Sequence, residues 1–153
     1  MSARRSGLRF FADESLLGVG RVLEAARSDV VHPGHPFVLG IPLGTIDPIW
    51  MPIAARMNLV VLSRDYRIRT KPAELALLRA EGLRVLYIAG KQNLSTWGYL
   101  GRLVRRWNDI EHLLELRPAG PWFYNVLEDR LTEVRLDREK TTTWLLTSAR
   151  DPR

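Results

Sequence analysis

Cysteine is absent from the 153-residue chain. That excludes a disulfide scaffold, a Cys-ligated zinc site, an iron–sulfur cluster and a thiol nucleophile. It also fits a reducing compartment, and the expected location is the cytoplasm. No apolar run approaches the roughly 18 residues of a membrane span, so no membrane association is expected. The first eleven residues carry Arg4, Arg5 and Arg9 but are not followed by an apolar stretch and a small-residue cleavage site. A secretory signal is therefore not expected. Only three histidines are present. His32 and His35 sit in a Pro/Gly turn without a third ligand at recognisable spacing, and His112 falls in a long helical segment. All three read as surface or loop residues, and no Ser-His-Asp arrangement can be singled out. There is no Gly-x-x-x-x-Gly-Lys-Ser/Thr loop, which argues against a P-loop NTPase.

What is present is an ordinary globular composition, 46% hydrophobic and 26% charged. A chain of this length is expected to form one domain that folds without disulfides or a structural metal. Twenty-three Lys and Arg against seventeen Asp and Glu give a net charge of +6. Such a balance favours a polyanionic partner, with plain solubilising surface as the alternative. The excess is local: from Arg64 to Lys91 seven basic residues face three acidic ones.

Leu8 to Ala12 reads as a short buried strand that stops at the helix-start residues Asp13, Glu14 and Ser15. Leu16, Leu17, Val19, Val22, Leu23, Ala25 and Ala26 recur at helical spacing, which predicts a helix over 15–27. A second short strand is expected at 29–31. Asp47-Pro48 resembles an N-cap followed by proline at the first helical position, with the helix running to about Asn58. Pro52 should disturb its first turn. Leu59 to Leu62 is the clearest strand, followed by a loop to Lys71. A helix from Pro72 to Glu81, closed by Gly82, leads to a strand over 83–88. The longest helix is expected over 95–117, with Leu100, Leu103, Val104, Trp107, Ile110 and Leu114 on one stripe. Residues 121–127 and 131–136 read as a hairpin. Strands alternating with helices argue for an α/β domain with a mostly parallel sheet.

In such sheets ligands sit at the carboxyl ends of the strands. Asp13 follows the first strand, Asp65 follows the strand at 59–62, and Asp47 starts the helix leading into that strand. All three belong to βα connections and are expected at one edge. Glu14 is adjacent and can contribute. Clustered carboxylates repel one another and call for a cation, and oxygen ligands without thiolate suit Mg²⁺ or Mn²⁺. Such an ion can activate water in phosphodiester hydrolysis. The basic residues Arg64, Arg67, Arg69 and Lys71 would then guide the RNA backbone. Each acid also has a purely structural reading. Asp47, and Asp13 or Glu14, could be helix caps, and Asp65 could form a salt bridge. Among the five tryptophans, Trp107 reads as core. Trp97 and Trp144 are undecided between core and base stacking.

Residues Phe10 to Glu14, Asp47 to Pro52 and Val60 to Asp65 resemble the PIN domain, and more narrowly the PIN-like domains of VapC-type toxins. The resemblance continues through Arg67 to Glu74 and more loosely to about Tyr124. It implies a three-layer α/β fold in which helices flank a small, mostly parallel sheet, here with a C-terminal hairpin added. It implies a Mg²⁺- or Mn²⁺-dependent endoribonuclease, a toxin neutralised by a protein antitoxin, and a frequent homodimer. The family's acidic site maps onto Asp13, Asp47 and Asp65, which are the expected catalytic and metal residues. Many members carry a further acidic residue between the first two. None lies between Val30 and Ile46, and Glu14 is the candidate substitute. One domain is expected over 1–137, with a tail over 138–153. Two other readings stay open: a catalytically inactive PIN-like module that binds RNA or protein, and a phosphoacceptor receiver domain. The second needs a strand-end lysine, and Lys91 follows Asp65 too closely for that pattern.

Overall fold

The computed structural model describes residues 7–38, 40–88, 90 and 93–136. Five strands run parallel: β1 (Phe10–Ala12), β2 (Val30–Val31), β3 (Val60–Ser63), β4 (Arg84–Ile88) and β5 (Trp122–Val126). A sixth, β6 (Leu131–Val134), returns antiparallel on β5 and forms the expected hairpin. The order across the sheet is β2-β1-β3-β4-β5-β6. The helices are α1 (Leu17–Ala26), α2 (Asp47–Arg56), α3 (Arg67–Thr70), α4 (Pro72–Glu81) and α5 (Thr96–Leu116). A 3-10 turn over Glu14–Leu16 precedes α1. Among the described residues no helix is long and apolar enough to cross a membrane.

Strand side chains alternate between two faces, and here both faces are covered. Phe10, Ala12, Val60, Leu62, Leu86 and Trp122 pack against Leu16, Val19 and Leu23 near α1 and against Leu103, Ile110 and Leu113 of α5. Phe11, Val61, Val85 and Phe123 pack on the other side against Trp50, Met51 and Ala54 of α2, Ile68 of α3 and Leu78 of α4. Two-sided burial explains why Leu59-Val60-Val61-Leu62 is apolar throughout rather than alternating. Each fully buried side chain of this kind contributes about 1.5–3 kcal/mol. The α/β, three-layer expectation therefore holds.

Several boundaries differ from the sequence reading. The start of the predicted 15–27 helix is a 3-10 turn, because Asp13 draws the backbone of Ser15 onto its own side chain. The stretch read as a loop before Lys71 contains α3, a single turn too short to show a periodic pattern. Asp47 is not an N-cap: Ile46 occupies that position, and Pro48 lies within the first turn. Pro52 lies inside α2, which continues through it to Arg56. Gly82 closes α4 in the left-handed conformation, φ 67°, where glycine is favoured. The tail over 138–153, including Trp144, lies outside the described residues, as does Lys91.

One close approach places α1 on the sheet. A Cβ at Gly20 would fall 2.8 Å from Ala12 Cβ and 3.2 Å from His32 Cβ. Gly20→Ala is therefore expected to lower stability by about 1–2 kcal/mol, overpacking outweighing the gain in helix propensity. A urea-unfolding midpoint equal to or above the parent's would show that α1 shifts freely.

Candidate active site

The carboxyl edge of the parallel sheet collects the residues that follow β1, β2 and β3. Asp13 comes directly after β1, and its N–H bonds Leu62 O of β3 at 3.0 Å. That contact fixes the residue between two strands, and it is only 5% exposed. Three donors converge on its carboxylate. Ser15 N donates to Oδ1 at 3.0 Å, Ser15 Oγ donates to the same oxygen, and Ser63 Oγ donates to Oδ2 at 2.5 Å. Burial nonetheless dominates and pushes the Asp13 carboxyl up to about 6. The serine hydrogen bonds oppose the rise, and the charge of Asp47 adds to it.

The two serines also shape the turn after β3. Arg64 N donates to Ser15 Oγ at 3.0 Å, and Asp65 N donates to Ser63 Oγ at 2.9 Å. Each hydroxyl thus joins Asp13 to the backbone that carries Arg64 and Asp65. Asp65 in turn grips Arg67: Nε donates to Oδ1 at 2.9 Å and Nη2 to Oδ2 at 2.8 Å. This side-chain bond to Arg67 is the main reason the Asp65 carboxyl lies below its ordinary value.

Asp47, the first residue of α2, accepts from Trp50 Nε1 at 2.9 Å. Burial raises its carboxyl, the indole bond opposes that, and the charges of Asp65 and Glu74 raise it further. Asp13, Asp47 and Asp65 therefore share one electrostatic neighbourhood, with Glu74 of α4 as a fourth acid. Glu14 turns elsewhere: its Oε1 accepts from Gly44 N at 2.8 Å and ties down the loop before α2.

Of the four basic residues singled out, Arg64, Arg67 and Lys71 are exposed. Arg64 Nη2 donates to Asn93 Oδ1 at 3.0 Å, and its guanidinium lies 5.1 Å from the Tyr99 ring centroid. Arg67 is committed to Asp65. Arg69 is half-buried over the Phe123 ring. The sequence reading did not assign Ser15, Ser63 or Glu74 a part. Two spacings could have signalled the serines: Asp13-x-Ser15, which is an Asx-type cap, and Ser63-x-Asp65, its counterpart across the edge. His32 and His35 are loop residues, as read, and both are buried. His32 Nδ1 lies 2.9 Å from Pro33 O, and the Nε2 atoms of both rings face Glu24 at 3.4 and 3.2 Å.

Among the described residues no group of three or more His, Cys, Asp or Glu is placed to hold a metal ion. Magnesium needs less: one or two carboxylates, with water and substrate phosphate completing an octahedron of oxygens. Asp13 and Asp47 are hard oxygen donors whose ionisation burial makes costly, Asp47 adding to the cost at Asp13, and they have the chemistry that such a cation relieves.

A family model described as a PIN-like domain matches residues 8–90, more than half of the chain. No curated protein and no solved structure matched it.

Proposed function

Because the chain belongs to the PIN-like domain family, whose members are generally nucleases, we propose that it is a metal-dependent endoribonuclease that hydrolyses RNA phosphodiester bonds. The observation that carries this reading is the buried Asp13, held above its ordinary range beside Asp47 at the mouth of a parallel sheet. A carboxylate kept in that state has a cost that a bound cation removes. Asp13 and Asp47 would hold Mg²⁺ or Mn²⁺, with Asp65, paired to Arg67, and Glu74 in the same electrostatic neighbourhood. When bound, the ion supplies an activated water and stabilises the leaving oxygen.

The chain's own residues do the positioning. Ser15 donates twice to Oδ1 of Asp13 and Ser63 once to Oδ2, which holds the carboxylate in place and leaves a lone pair on Oδ2. The Trp50 indole fixes Asp47, and Arg67 fixes Asp65. Arg64 and Lys71, exposed beside this edge, attract phosphates, and Arg67 and Arg69 add to the field. Asp13 must be ionised to serve a cation, so divalent binding should tighten as pH rises through about 6.

The more specific role, a cytoplasmic toxin silenced by a protein antitoxin and working as a homodimer, rests on the resemblance of residues 10–14, 47–52 and 60–74 to VapC-type toxins. The test is direct. The purified protein is expected to cleave single-stranded RNA with Mg²⁺ or Mn²⁺ and to stop when EDTA is added. Absence of cleavage across an RNA panel, with metal present and any co-purified partner removed, would leave only the RNA- or protein-binding reading.

A further inference from the structure

The described tryptophans divide sharply. Trp50 and Trp122 are buried. Trp107 packs on Phe10, with ring centroids 4.9 Å apart, and lies under the guanidinium of Arg27. Trp97 is 81% exposed, more than any other large hydrophobic side chain among the described residues. It stands in the first turn of α5, whose start is held by Ser95 Oγ accepting from Gly98 N at 3.1 Å. Its backbone is therefore rigid while its ring is bare. The residue after it and the residue one turn on, Gly98 and Gly101, have no side chain to cover the ring.

This turn adjoins the acidic edge. Thr96 Oγ1 lies 3.0 Å from where a Cβ on Gly18 of α1 would be. Arg64 reaches Asn93, two residues before α5's cap, and stacks on Tyr99, two residues after Trp97. Arg64 is in turn joined through Ser15 Oγ to Asp13. A second bare aromatic, Tyr66, 55% exposed, follows Asp65 directly. The edge thus presents two uncovered rings with cationic Arg64, Arg67 and Lys71 around the same turn.

Resting on the nuclease reading above, we propose that Trp97 is a stacking platform for an unpaired base of the RNA strand. Bases in a duplex are stacked on one another and cannot reach the ring. An unpaired strand offers a base face to an aromatic and phosphates to nearby cations. The cations Arg64, Arg67 and Lys71 around the same turn match the charge of such a strand.

Binding is measured in EDTA, so that cleavage is suppressed, with a short labelled single-stranded RNA of mixed sequence and with its duplex. The readings are taken over a series of salt concentrations on the parent and on Trp97→Ala, Trp97→Phe and Lys71→Ala. Trp97→Ala should weaken single-strand binding roughly 5- to 150-fold at every salt concentration, as expected for one lost base–aromatic stack. Duplex binding and the salt slope should stay the same. Trp97→Phe should keep most of the affinity. Lys71→Ala should instead lower the slope by about 0.7, the signature of a lost phosphate contact on a single strand. The parent's emission should be quenched by RNA more than that of Trp97→Phe, a difference in which every other tryptophan cancels. Trp97→Ala binding like the parent would overturn the platform and leave the nuclease reading standing. Trp97-dependent binding with no cleavage under Mn²⁺ would do the reverse. A parent that binds no RNA sinks both. If Trp97→Ala instead converts a dimer to a monomer on size exclusion, the ring is a contact between copies and the platform is wrong.

Discussion

Asp13→Asn is expected to abolish RNA cleavage and, in metal-free solution, to make the protein more stable at neutral pH. Both effects come from one buried charge. The folded state holds the Asp13 carboxyl up to about 6, against 3.8 for an unperturbed aspartate such as the unfolded chain presents. Between those values the folded state binds more protons than the unfolded one, so stability falls as pH rises. The favourable contribution is complete below about pH 4 and is gone once the pH has passed through 6. A shift of about two units corresponds to about 2–3 kcal/mol as an order of magnitude. Asparagine has nearly the same shape and no charge. Ser15 can still donate to its Oδ1, and Ser63 can rotate to accept from its Nδ2. The difference in urea stability between variant and parent, in EDTA, should be small near pH 4 and grow to roughly that size by pH 7. Cleavage should fall at least 100-fold, since even partners of metal ligands typically cost about 10–100-fold. A stability difference that stays constant across pH would mean that Asp13 is not strained by its charge. Full activity in Asp13→Asn would remove the residue from the site.

Asp47→Asn and Asp47→Ala should be equally inactive and unequally stable. Asp47 does not cap its helix; its Oδ1 accepts the Trp50 indole proton, and Trp50 is buried against Phe11 with ring centroids 5.2 Å apart. Asparagine keeps an oxygen in that place, so the fold should be unchanged. Alanine leaves the Nε1–H without its partner, which costs about 1–3 kcal/mol. Loss of the negative charge is common to both, and with it the expected hold on a divalent ion. Thermal melts and Mn²⁺ titrations on the pair separate the two roles. An Asp47→Asn protein that cuts RNA and takes up Mn²⁺ like the parent would restrict Asp47 to holding Trp50.

The layers of this fold were legible because burial leaves a strong mark on the sequence. Leu59 to Leu62 is unbroken apolar residues because both faces of β3 are covered. The stripe Leu103, Ile110 and Leu114 announces α5 because twenty-one residues give the helical period room to repeat. The same reasoning fails where segments are short. Arg67–Thr70 is one turn, and a single buried residue, Ile68, shows no period. Within the site, the acids were found because each stands at a strand or helix boundary. Their partners were harder to see. Asp47-Pro48 carries the usual mark of a cap, yet the carboxylate turns to an indole three residues on. Ser15 and Ser63 are 48 positions apart and meet only because β1 and β3 pair. Pro33, Gly34 and Pro36 rightly marked His32 and His35 as loop residues but gave no sign of their burial. They turn inward because Glu24, on a helix that precedes them, receives both rings.

The bond from Ser63 to Asp13 spans 50 residues. Parallel pairing cannot begin with a tight turn, so this contact is closed only after the intervening helices have been laid down. A chain emerging from the ribosome exposes β1 and α1 first, then waits for β3 before Asp13 gains the hydroxyl of Ser63 and the backbone of Leu62. The N-terminal part alone has an aspartate but no assembled site. For a protein read as a nuclease born among RNA, that order delays assembly of the cutting edge until more than a third of the chain has been made. A circular permutant that joins β1 and β3 early would assemble the edge sooner.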